Sequence, residues 1–379
     1  MKVAIFETEH FEAAYPLIRL FDTGHNDITI FSYAASERQL KYMLGDRANS
    51  YSWIQPRPEQ SKISFIRTIQ HEIRKRKLEL LYLNTVSDNF LFYARLVQGL
   101  PELRVIMTVH MINNLFDTKG QTGLRRWARS LGKKRLVKAV DEFNVLSSTM
   151  MPLLVNRLPV GKAVHTIPGA VFEESAYRQP VYSSSEPIRI AIPGSVDGRR
   201  RNYEQVFELL QQLAKRNIPA IMTFLGRLYD EYGKQILSQC RQWSSKEQIL
   251  KWYETGTIDQ AEFERVLNEA HFIFTPSVID TVISDGIEEK YGTSISSGNV
   301  SDVIRHARPF IIPRRLPMDA LLEKSCVRYD KVEEIASLLG SVYRNADTYS
   351  NLAGMALESS RNYTIEKVRE RNKDVFGAV

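Results

Sequence analysis

The stretch Glu288 to Pro313, EEKYGTSISSGNVSDVIRHARPFIIP, joins a glycine- and serine-rich loop to a short helix and then a buried strand. The residues from Gly292 to Asn299 are small enough to let backbone N–H groups approach a ligand. A helix starting near Gly298 adds unpaired donors and the positive end of its dipole. The loop therefore reads as an anion cradle, with phosphate the natural guest. Pro309 disfavours helical geometry at Arg308, so the helix ends there and Phe310 to Ile312 reads as a fully buried parallel strand. The plainer reading of the same residues is a surface loop leading into an ordinary αβ unit.

Working outward, 379 residues with 43% hydrophobic content exceed one average domain and imply two, each able to bury a sizeable core. Cys240 and Cys326 stand in unrelated contexts, which argues against a disulfide framework, a zinc cluster or a redox motif and favours a reducing cytoplasm. The opening MKVAIFETEH lacks the apolar core of a signal peptide, and no apolar run reaches the length of a membrane span. The formal charge of +7 is unevenly spread, since residues 1–170 carry 24 Lys and Arg against 15 Asp and Glu. A basic first half favours an anionic partner such as phospholipid or a lipid-phosphate acceptor. Nucleic acid would suit the same sign but is not expected here.

The first forty residues read as β-α-β: a strand Lys2 to Phe6, a helix from about Phe11 to Phe21, and a strand Asp27 to Phe31. In a parallel sheet the turn after the first strand lies at the carboxyl edge, so Glu7, Glu9 and His10 face a cleft. A strand at Arg104 to Val109 ends in His110, whose imidazole falls at the same edge and can exchange a proton or hydrogen-bond a sugar. The alternative is a histidine that merely caps a loop. The stretch from Leu124 to Lys138 reads as a helix that carries seven Lys and Arg, with Leu124, Trp127 and Leu131 on one face. It reads either as a membrane-docking basic helix or as a solvated helix whose Trp127 packs into the core.

Residues 171–187, with Ser183-Ser184-Ser185, read as a linker between a domain 1–170 and a domain 188–360, followed by a terminal helix in 361–379. The second domain restarts with a strand Ile188 to Ile192, the turn from Gly194 through Arg199-Arg200-Arg201, and a helix from about Tyr203. Arginines at a carboxyl-edge turn suit a diphosphate. A strand ending at Gly226, another before Thr255-Gly256-Thr257, and a strand His271 to Phe274 running into Pro276 complete the sheet. Helices are expected at Leu316 to Leu322, Val332 to Val342 and Thr364 to Phe376.

These motifs resemble GT-B glycosyltransferases, most closely glycosyltransferase family 4, whose nucleotide-sugar segment runs Glu, aromatic, Gly, a second Glu, a helix-end Gly and Pro. Glu289, Tyr291, Gly292, Asp302 and Pro309 follow that order, with Asp302 at the second Glu, a longer intervening loop and Ala307 at the helix-end glycine. The resemblance implies an α/β chain of two Rossmann-like domains facing each other across a cleft. It further implies transfer of a sugar from a nucleotide-sugar to a glycan or lipid-linked acceptor, with no cofactor beyond the co-substrate and no metal. Nucleotide-sugar contacts would come from Gly194, Arg200, Arg201, Gly226, Pro276, Tyr291, Gly292, Ser296, Ser297, Gly298, Asn299 and Asp302. His110 and Glu289 would be catalytic, while Glu9 and His10 would meet the acceptor. The last helix would cross back to the first domain. The departure at Asp302 leaves open a catalytically silent accessory subunit, and a sugar-binding protein is the other rival. An epimerase on this fold would want more carboxylates.

Overall fold

The computed structural model describes residues 1–118, 123–184, 186–228, 230–254 and 258–377. Ser185 and Thr255 to Thr257, named above, lie outside the described residues. The chain divides into two compact units: Met1–Ala170 with Val282–Ser296 and Ile365–Val379, and Val171–Thr281 with Ser297–Thr364.

The first unit is built on a parallel sheet of seven strands: β1 (Lys2–Phe6), β2 (Asp27–Phe31), β3 (Ser52–Ile54), β4 (Leu80–Leu83), β5 (Arg104–Thr108), β6 (Glu142–Val145) and β7 (Ala163–Thr166). Their order is β3-β2-β1-β4-β5-β6-β7. β1 and β4 are the central pair, and apart from Lys2 every residue of both is buried, as a parallel sheet covered on both faces requires. The helices are α1 (Phe11–Phe21), α2 (Ala34–Leu44), α3 (Lys62–Arg76), α4 (Phe90–Gln98), α5 (Ile112–Phe116), α6 (Gly123–Ala139) and α7 (Met151–Arg157).

The second unit repeats the plan. Its strands β8 (Ile188–Pro193), β9 (Ala220–Leu225), β10 (Gln248–Lys251) and β11 (Phe272–Phe274) alternate with α8 (Glu204–Lys215), α9 (Asp230–Gln242) and α10 (Gln260–Glu269). After the short strands β12 (Asp280–Val282) and β13 (Glu288–Lys290) come α11 (Gly298–His306), β14 (Phe310–Pro313), β15 (Cys326–Tyr329), α12 (Val332–Arg344) and α13 (Ala346–Ser360). The sheet order β10-β9-β8-β11-β14-β15 reproduces that of the first six strands of the other unit. In both, the order reverses beside the first strand, β1 or β8. The carboxyl ends there form the crevice where α/β sheets bind ligands.

Three segments differ from the sequence reading. Residues 171–187 belong to the second unit, because Val171, Phe172 and Tyr182 are buried and the Phe172 N–H donates to the Tyr363 carbonyl at 2.9 Å. Leu316 to Leu322 is not an α-helix: Pro317 breaks it, and the Asp319 carboxylate caps a short 3-10 turn over Ala320–Ser325 by accepting from the Leu321 N–H at 3.0 Å. Finally, the terminal helix is two pieces, α14 (Ile365–Arg371) and α15 (Lys373–Phe376). They group with the first unit, where Arg369 donates to the carbonyls of Arg19, Leu20 and Asp22 at 2.8–3.0 Å.

Candidate functional site

At the carboxyl edge of the first sheet the organising group is Glu7, which follows β1 and is fully buried. One of its oxygens accepts the backbone N–H groups of Glu9 (2.5 Å) and His10 (2.7 Å). The other accepts Asn84 Nδ2 (2.5 Å) and Thr85 Oγ1 (2.8 Å), both after β4. A buried carboxylate is tolerated when its lone pairs are met in this way, and the bonds fix the turn that carries His10.

His110 follows β5, with Nε2 2.8 Å from the Asn84 carbonyl and 3.2 Å from Thr85 Oγ1. A carbonyl only accepts, so Nε2 carries the proton and Nδ1 keeps a lone pair. Burial, then the charge of His10 at a ring distance of 5.2 Å, pushes the His110 pKa well below its ordinary value. His110 is therefore neutral at pH 7. Burial opposes a charge on the half-exposed His10, yet its bond to Glu12 (3.2 Å) and the carboxylates of Glu12, Glu7 and Glu9 push its pKa up. The two rings border a cavity of about 140 Å³ that Glu9, Ser87, Phe90 and Arg129 also line. Glu9 itself accepts from Ser87 Oγ.

Glu289 belongs to the first unit and is 3% exposed. Its Oε1 accepts the Asn114 N–H at 2.8 Å, so it caps the first turn of α5 just after His110. Burial raises the Glu289 pKa. Tyr291 and Gly292 close a tight turn in which the Gly292 N–H donates to the Ile295 carbonyl (2.8 Å), and the Ser294 carbonyl accepts the Ile112 N–H (2.7 Å). Ser296 ends this excursion. The loop read as one cradle thus divides: Glu289, Tyr291, Gly292 and Ser296 group with the first unit, Ser297 to Asp302 with the second.

In the second unit the turn after β8 is held from both sides. Gly194 has φ +96°, and a Cβ there would run into the Arg201 guanidinium. A Cβ on Gly226, after β9, would strike the Gly194 carbonyl. Asp197, 3% exposed, takes a bidentate contact from Arg199 (2.8 and 3.0 Å) and meets Arg200 Nε at 3.5 Å. Burial opposes its charge, but Arg199 and then Arg200 hold its carboxyl below the usual range. Arg201 is 8% exposed and donates to the Ser195 carbonyl (3.2 Å) and to Asn299 Oδ1 (2.5 Å). It forms no ion pair among the described residues, and its Nε lacks a partner. Asn299 also donates to the Pro193 carbonyl (3.0 Å) and to Asp302 (3.2 Å), tying the first turn of α11 to β8.

Ser297 is the N-cap of α11 but its side chain makes no capping bond; the Val300 N–H donates to the Ser297 carbonyl (3.1 Å), while Gly298 at the first helical position is exposed. The Pro276 carbonyl accepts the Asn202 N–H (2.8 Å), which fixes the arginine turn against the end of β11. The start of α11 and the Arg201 guanidinium are thus brought together through Asn299, while Arg200, 41% exposed, faces Asp197. Asp197 escaped the sequence reading as a site residue, and Glu7, expected to face the cleft, is instead buried and holds the turn that carries His10. An acidic residue two positions before a run of three arginines was the available signal for Asp197.

No protein-family model and no curated protein matches the chain. Solved structures do. The sucrose-phosphate synthase of Thermosynechococcus elongatus is 11% identical, with a TM-score of 0.65 over 99% of this chain and 98% of its own. Anabaena HepE in complex with UDP-glucose is 9% identical, with a TM-score of 0.66 over 100% of both chains. The fold is GT-B. A UDP-GlcNAc 2-epimerase from Neisseria meningitidis bound to UDP-GlcNAc, 11% identical, reaches 0.57 over 99% of this chain and 100% of its own. GT-B frames thus carry more than one chemistry, and the reaction has to be argued from the site.

Proposed function

We propose that this chain is a glycosyltransferase that moves a hexosyl group from a nucleotide-sugar to a glycan or lipid-linked acceptor in surface polysaccharide or glycoconjugate synthesis, working in the cytoplasm. The observation that carries the reading is Arg201, a buried guanidinium without a carboxylate partner among the described residues, set against the first turn of α11, where Gly298 is exposed and no side chain caps the helix. A buried cation of this kind calls for an anion, and the adjacent helix donors suit a diphosphate. Arg200 and the Gly298 and Asn299 N–H groups would meet the charge that grows on the leaving diphosphate. Stabilisation there accelerates transfer because it is strongest in the transition state. The sequence offers no Asp-x-Asp pair for a cation beside the diphosphate, so the proposed transfer is metal-independent.

On the first unit, neutral His110 presents Nδ1 as an acceptor for a sugar hydroxyl, and Glu9 with protonated His10 would orient the acceptor. A second reading, a nucleotide-sugar-binding protein that does no transfer, is favoured by one observation: Glu289 spends Oε1 on capping α5. Release of nucleoside diphosphate from UDP-, GDP-, ADP- and TDP-sugars, with and without candidate acceptors, separates the two. Transfer predicts release with one nucleotide class, falling about a hundredfold or more in His110→Ala while donor binding persists. Binding without release from any donor would select the second reading.

A further inference from the structure

Helix α6 buries Gly132, Lys133, Leu136 and Val137. With 3.6 residues per turn, the opposite side of the helix carries Leu124, Trp127 and Leu131, and then Lys134, Arg135 and Lys138. The alternative in which Trp127 enters the core is overturned, since Trp127 is 65% exposed and Leu124 85%. Two of the seven cations of the helix are used internally. Arg129 lies over the Phe90 ring (5.0 Å) and pairs with Asp285 (3.2 Å), while Lys133 donates to the Asn114 and Asp117 carbonyls. The other five, Arg125, Arg126, Lys134, Arg135 and Lys138, form no ion pair among the described residues, and no Asp or Glu stands between Asp117 and Asp141.

We propose that this face of α6 docks on an anionic lipid surface, Leu124 and Trp127 entering the boundary between headgroups and acyl chains while Lys134, Arg135 and Lys138 meet lipid phosphates. Charge complementarity selects the occupant. Five cations with no local counter-charge seek a surface of negative charge, and an indole with one polar tip suits the headgroup level. At 1.5 Å per residue the 17-residue helix is about 25 Å long, enough for the apolar end and the cationic end to touch one plane together. A convex helix offers no groove to track a nucleic-acid backbone, whereas a lipid surface accepts apolar side chains and cations at once. Among the described residues no helix is long and apolar enough to cross a membrane, so the contact is with the surface.

The test is co-sedimentation of the full chain with vesicles of phosphatidylcholine alone and of phosphatidylcholine containing roughly one-third phosphatidylglycerol. Wild type is expected on the anionic vesicles only, with binding weakened by salt. At roughly fivefold per charge, Lys134→Gln/Arg135→Gln/Lys138→Gln lowers partitioning about a hundredfold. Leu124→Ser/Trp127→Ser lowers it about tenfold or more. Both variants alter exposed side chains, and unchanged circular dichroism and melting temperature confirm that they fold. Equal binding to both vesicle types, no loss in either variant, or retention on single-stranded RNA with none on vesicles would overturn the proposal.

Discussion

Ala307 ends α11 in the left-handed region, with φ +50°, while only 1% exposed. A Cβ in that conformation costs about 1 kcal/mol, which is why helices commonly end on glycine at this point. Replacing it by glycine removes that strain and leaves the Ala307 N–H bond to the Val303 carbonyl intact. Ala307→Gly is expected to raise the unfolding free energy by roughly 0.5 kcal/mol after allowing for the greater freedom of glycine in the unfolded chain. Urea unfolding measures it, and a loss of stability would mean that the alanine is unstrained. At this scale the sequence was partly legible. His10 and His110 could be located because strand ends carry ligand-facing residues. The role of Glu7 could not, because the side chains that engage it, Asn84 and Thr85, lie 77 and 78 residues away.

Among elements, the strands and helices with clear periodicity matched the sequence reading, as β1, α1, β2 and α12 show. α2 escaped it because its buried face includes Ser36 and Glu37 beside Leu40 and Leu44. β15 escaped it because Arg328 interrupts the apolar run, its charge being met by Glu323 at 2.6 and 2.8 Å. α5 is the element on which the role of Glu289 turns. Glu289→Ala removes the acceptor for the Asn114 N–H and is expected to cost about 1–2 kcal/mol, whereas Glu289→Gln keeps a carbonyl oxygen there and costs little. Unfolding of the two variants side by side checks the cap. Equal losses would remove the capping role and return Glu289 to the sugar.

For the whole molecule, two sheets with the same strand order follow from a chain that twice repeats strand, turn and helix, and this much could be read in advance. The membership of 282–296 and 365–377 could be read only in part. Those segments are assigned by contacts across long sequence distances, Asn114 to Glu289 being 175 residues apart and Arg369 to Leu20 being 349. Such pairings leave no periodic trace, although a helix returning to the first unit was expected from the family resemblance. The central claim is that the second unit binds a nucleotide diphosphate at the α11 N-terminus beside Arg200 and Arg201. Isothermal calorimetry of wild type and Arg200→Ala with UDP-, GDP-, ADP- and TDP-sugars tests it most directly. Arg200 is 41% exposed and Asp197 keeps its bidentate contact from Arg199 without it, so its loss should spare the fold. The account predicts that one nucleotide class binds wild type and binds Arg200→Ala about tenfold to a hundredfold more weakly, a lost charge-assisted contact being worth about 1.5–3 kcal/mol. No heat with any donor, or equal affinity in the two proteins, would contradict it.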